Sequence, residues 1–113
     1  MTDPKKPQDH KSKVDAPKVT KTDAGWDVTH RGISFSVDGD ALDDFELLDD
    51  LAELQRDSKR GTVRVPSMLR KLAGDEGFRA VSDGLRNPET GRTQASVAVQ
   101  YVFEVFQALN PNG

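Results

Sequence analysis

The stretch Thr93 to Leu109, near the end of this 113-residue chain, carries an almost unbroken apolar helical pattern. At about 100° per residue, only Ser96, Gln100, Glu104 and Gln107 gather into a polar strip. A helix apolar around most of its circumference has to be covered on several sides. In a chain this short it is either the central helix of the core or a surface shared with another chain, and the remaining segments are read as its cover.

Upstream, Trp26 to Val37 alternates apolar and polar residues on both sides of Arg31-Gly32. This spacing predicts a short β-hairpin over 25–37 with Trp26, Val28, Ile33, Phe35 and Val37 facing inward. A lone hairpin is marginal in water, so it must lie against helices. Asp38-Gly39-Asp40 breaks the strand, with Asp40 as the expected N-cap of the next element. From Ala41 to Asp57 the period becomes helical: Ala41, Phe45, Leu47, Leu48, Leu51, Ala52 and Leu54 share one broad arc, with Asp43, Glu46, Asp49, Asp50, Glu53 and Asp57 opposite. Asp57 to Thr62 reads as a loop. A short helix is expected over 66–73, opened by Pro66 and closed by Gly74. Another follows over 75–86, weakened by Gly77 and Gly84, and after the Asn87-Pro88 turn comes the apolar helix over 93–109. The expected fold is mainly α: a small bundle of about four helices with a short N-terminal β-hairpin and a disordered N-terminal tail.

That tail is residues 1–24, which hold six lysines, four aspartates and three prolines but almost nothing large and apolar. Such a segment buries too little surface to offset its chain entropy. Residues 25–113 are expected to form a single helical domain. Its charge is polarised: residues 38–57 carry nine carboxylates against Arg56 alone, whereas residues 58–92 carry eight Lys or Arg against four carboxylates. The two halves can pair internally or head to tail with a second copy. No stretch approaches the roughly 20 apolar residues of a membrane span, and the Lys- and Asp-rich start lacks the apolar core of a signal peptide. The chain is therefore read as soluble and cytoplasmic.

The absence of cysteine excludes disulfides, thiolate metal sites and a cysteine nucleophile. His10 falls in the tail, and His30, alone on a strand, is read as structural, so no metal is expected. Asp38-Gly39-Asp40 resembles a calcium loop only superficially, because the glycine is misplaced and Leu42 stands at a ligand position. No phosphate loop, nucleophile elbow or catalytic set is present, so neither enzyme activity nor a cofactor is expected. The basic cluster Lys59, Arg60, Arg64, Arg70, Lys71, Arg79, Arg86 and Arg92 spans two short helices, as in a small DNA-binding regulator. Against nucleic acid stand a pI of about 5.3, the acidic neighbouring helix and the lack of polar readers beside the basic residues.

Three segments occur in order: the acidic opening Asp38 to Leu54, then Val65-Pro66-Ser67-Met68-Leu69-Arg70-Lys71-Leu72-Ala73-Gly74, then the apolar end Phe103-Glu104-Val105-Phe106-Gln107-Ala108-Leu109. In this, residues 38–110 resemble the tail assembly chaperones of long-tailed (siphovirus-type) bacteriophages. The resemblance implies a non-enzymatic protein of the host cell cytoplasm. It would coat the tape-measure protein, keep its apolar helices soluble and help recruit tail-tube subunits, and it would be absent from the mature virion. It also implies a longer frameshifted form in many relatives and frequent self-association. A head-tail joining protein, which would stay in the particle, is the alternative from the same setting.

A chaperone of this kind needs apolar surface flanked by charge. The candidate client contacts are Val99, Phe103 and Phe106 on the last helix with Leu47 and Leu54 on the acidic one. Asp43, Glu46, Asp50 and Glu53 would steer a basic client.

Overall fold

A computed structural model of the chain describes residues 16–109. Three antiparallel strands come first: β1 (Lys18–Lys21), β2 (Gly25–His30) and β3 (Ile33–Asp38), in the spatial order β1-β2-β3. A 3-10 turn, Ala41–Asp43, leads into α1 (Phe45–Arg56). A single helical turn, Ser58–Gly61, and a second 3-10 turn, Thr62–Arg64, lead into α2 (Val65–Gly84), and α3 (Ala95–Leu109) ends the described chain.

The fold is mostly helical, but it is not the expected four-helix bundle with an added hairpin. It has three helices and a three-stranded sheet, and sheet and helices share one core. The extra strand, β1, lies inside the segment expected to be a disordered tail; the first 15 residues of that segment and residues 110–113 lie outside the described ones. Two lysines bracket the β-branched pair Val19-Thr20, and lysine on an edge strand blocks pairing with further chains. Val19 sits opposite Val28 and Lys21 opposite Trp26, with the Lys21 ammonium 5.0 Å from the centre of the indole ring.

The hairpin β2-β3 closes through Arg31 and Gly32, whose φ angles of 54° and 76° are both positive, as a two-residue type I′ turn requires. Its register pairs Trp26 with Val37, Val28 with Phe35, and His30 with Ile33, which puts all six on the core face. The inward set expected from the alternation is therefore present, with His30 added to it.

Asp40 does not cap α1. The preceding 3-10 turn shifts the start of the helix, and Asp44 accepts hydrogen bonds from the backbone N–H of Glu46 (2.8 Å) and Leu47 (3.1 Å). Asp57 does the same for Lys59 and Arg60, so the expected loop there is a helical turn. The two short helices expected over 66–73 and 75–86 are the two arms of α2, which bend at Gly74 (φ 74°, ψ 178°) without a loop between them. The C-terminal arm lies against β3: a Cβ on Gly84 would stand 2.4 Å from Cγ1 of Ile33. α3 buries Tyr101, Val102, Val105, Phe106 and Leu109 and half-buries Val97 to Val99 and Phe103, as a helix covered on several sides must.

Candidate functional site

Helix α1 is turned relative to the expected arc. It buries Leu47, Asp50 and Leu54, and it leaves Phe45 and Leu48, one turn apart, in solvent. Phe45 is 86% exposed and Leu48 47%; with Val63 at 80% they are the exposed large apolar residues among those described. Ala52 continues the line one turn further and is also exposed. An exposed aromatic and leucine at helical spacing, continued by a small residue, make an apolar strip on an otherwise acidic helix. Asp43, Glu46 and Asp49 are exposed around it, and Glu53 is half-buried.

The turn of the helix has an electrostatic cause. Asp50 faces α2, where its carboxylate accepts hydrogen bonds from the Arg64 guanidinium (3.0 Å) and the Lys71 ammonium (2.8 Å). Arg64 also reaches Asp49 at 3.0 Å, and Lys71 stands 3.8 Å from Glu46. The hydrogen bond that Arg64 donates to Asp49, aided by the one to Asp50, raises its pKa above the usual value, and the bond to Asp50 raises that of Lys71, both against a smaller desolvation effect. A carboxylate with two cationic donors can be taken out of water, so Asp50 belongs to the buried side.

The expected client contacts are therefore divided. Leu47, Leu54 and Phe106 are core residues, exposed by 9% or less, and Asp50 is held in its clamp; none of the four presents surface to a partner. Val99 and Phe103 are half-buried against the same core. Asp43 and Glu46 stand in solvent, and Glu53 lies at the edge of the apolar strip. Periodicity alone puts Phe45 and Leu48 on the inward arc; the signal that separates them is the like spacing of Leu47, Asp50 and Leu54, a stripe that looks wrong only because it contains a carboxylate.

A second cluster ties α3 to the hairpin. His30 Nε2 lies 2.6 Å from Glu104 Oε1, and Arg31 donates to both oxygens of the same carboxylate at 3.0 and 3.1 Å. The Tyr101 hydroxyl donates to the His30 carbonyl at 3.1 Å, and burial pushes its pKa up to about 12. The His30 ring is buried, and among the described residues its Nδ1 has no partner. The ring packs against Tyr101, with ring centres 4.8 Å apart, in the position of a packed strut.

Of the eight basic residues weighed for nucleic acid, Arg64, Arg70, Lys71 and Arg86 are paired with carboxylates, which lowers what they could offer to phosphates. Among the described residues, no helix is long and apolar enough to cross a membrane. An apolar cavity of about 180 Å³ lies between the arms of α2 and the first turns of α3. In comparisons with family models, curated proteins and solved structures, nothing matches this chain.

Proposed function

We propose that the chain is a tail assembly chaperone, a non-catalytic protein that binds a phage tape-measure protein, keeps it soluble and helps recruit tail-tube subunits around it. It would act in the host cytoplasm and leave before the virion is complete. The observation that carries this reading is the exposed strip Phe45, Leu48 and Ala52 on an acidic helix. An amphipathic client helix with basic flanks fits such a strip: its apolar side covers Phe45 and Leu48, and its Lys or Arg side chains meet Asp43 and Glu46, while Asp49 stays with Arg64. The segment order described above supplies the specific client class.

Co-expression with a phage tape-measure protein, followed by affinity capture and sizing, tests the proposal. A soluble complex is expected. The double variant Phe45→Asp, Leu48→Asp should weaken it by roughly thirtyfold or more, since loss of a central aromatic anchor costs about 2 kcal/mol or more. The same variant should melt within about 0.5 kcal/mol of the parent, because both side chains are exposed. A client that stays insoluble with the chain present would overturn the chaperone reading. A complex indifferent to both substitutions would move the contact away from α1.

A further inference from the structure

The cavity beside α2 lies apart from the α1 strip and shares no residue with it. Its walls are Val65, Pro66 and Leu69 from the first arm of α2, Phe78 and Val81 from the second, and Ala98 from α3. Well-packed interiors leave few voids larger than a water molecule. This one, at about 180 Å³, exceeds the roughly 150 Å³ of an engineered apolar cavity that stays dry and takes up benzene. The bend at Gly74 splays the two arms and so creates the space.

Two of its three rim hydroxyls, all but that of Ser82, already commit their protons within the fold. The Thr62 hydroxyl already donates to the Ser58 carbonyl, and the Thr93 hydroxyl to the Ser82 carbonyl at 2.5 Å. The charged residues flanking the lining ones are cationic in excess: Arg70, Arg79, Arg86 and Arg92 against Asp75 and Asp83, the latter paired with Arg86. The Arg70 guanidinium lies 3.9 Å from the centre of the Phe78 ring, partly neutralised by Asp75 at 3.4 Å. Arg79 follows Phe78 and stands one turn before Ser82, and Arg92 immediately precedes Thr93. Both are exposed, and among the described residues neither has a carboxylate partner.

We propose that this cavity receives one aromatic side chain of a protein partner, presented from a segment with carboxylates on either side of that aromatic. The ring fills the apolar space, and the flanking carboxylates meet Arg79 and Arg92. The chain thus carries two docking sites of opposite preference: a basic-flanked helix on α1 and an acidic-flanked aromatic at α2.

Two probes test this on the full chain by methyl NMR: toluene, and the blocked pentapeptide Asp-Asp-Phe-Asp-Glu compared with its counterpart in which every acidic residue is lysine. Toluene and the acidic peptide should shift the same methyl signals, those of Val65, Leu69, Val81 and Ala98. At low salt the acidic peptide should bind about tenfold more tightly than the lysine peptide, and the difference should shrink as salt screens the arginines. The surface variant Arg79→Glu, Arg92→Glu should invert that order without needing the core to repack. Ala98→Leu, which fills the space, should abolish the toluene shifts. Phe45→Asp with Leu48→Asp should leave all of this unchanged, so failure at α1 and failure here are separable. Equal affinities for the two peptides, or shifts centred away from the cavity, would overturn the proposal. So would a dimer of the chain that Phe45→Asp dissolves, because the aromatic in the cavity would then belong to a second copy.

Discussion

Tyr101 is the only tyrosine of the chain, so its ionisation can be followed by absorbance without interference. Burial disfavours the phenolate and raises the pKa to about 12, with Arg31 opposing the shift and Glu104 adding to it. The folded state thus keeps its phenolic proton over a pH range in which the unfolded chain, titrating near 10, has lost it. Stability must then fall as pH rises from about 10 to about 12, by about 2 to 3 kcal/mol in total, and this source of loss is silent below pH 10. Tyr101→Phe should cost about 1 kcal/mol at neutral pH through the lost bond to the His30 carbonyl, and should flatten the alkaline limb. A phenolate signal rising with a midpoint near 10 in the folded protein would contradict this. His30, alone on its strand in the sequence, is buried beside Glu104 and Tyr101. Its partners Glu104 and Tyr101 lie more than 70 positions away, and no local spacing encodes such a pairing. Glu104 had the look of one more residue in a solvated strip.

At the scale of elements, Gly74 decides the shape of α2 and with it the cavity. Its φ of 74° with ψ of 178° belongs to a region that is essentially glycine's alone, and a Cβ there would meet nothing within 4 Å. Gly74→Ala therefore isolates backbone strain from packing, and thermal or denaturant melting should show a loss of about 1 to 3 kcal/mol. An unchanged melt would mean that the two arms can align into one straight helix at no cost. A glycine closing a short helix was legible at this position. What was not legible is that the chain resumes its helix at once, because a bend and a stop leave the same local mark. Gly84 is the complementary case: inside a helical pattern it looks like weakness, and in the fold it is the point of close approach to Ile33. The rotation of α1 was hidden for a related reason. Periodicity ranks Asp50 as outward, but Arg64 and Lys71, 14 and 21 residues later, supply the donors that let it turn inward. The cost of that turn is an exposed Phe45, and the candidate partner surface follows from it.

For the whole molecule the decisive question is whether sheet and helices unfold together. Val28, Phe35 and Val37 of the sheet belong to the same buried cluster as Leu47 and Leu54 of α1, Met68, Leu72 and Val81 of α2, and Tyr101, Val102 and Val105 of α3. The helices were largely legible because long amphipathic patterns survive in any tertiary setting. The third strand was not, since four residues between lysines carry too little pattern to separate an edge strand from a tail. A bundle with a hairpin laid on its surface would melt in two steps, with the hairpin first. One shared core instead predicts a single cooperative transition. Trp26, the sole tryptophan, sits on β2 and reports the sheet by fluorescence, while far-ultraviolet circular dichroism reports the helices. In urea the two curves should superimpose, with the same midpoint and slope. A fluorescence transition well below the helical one would show that the sheet is an accessory to the helices. In that event the His30–Glu104 and Arg31–Glu104 contacts would be too weak to bind α3 to the hairpin.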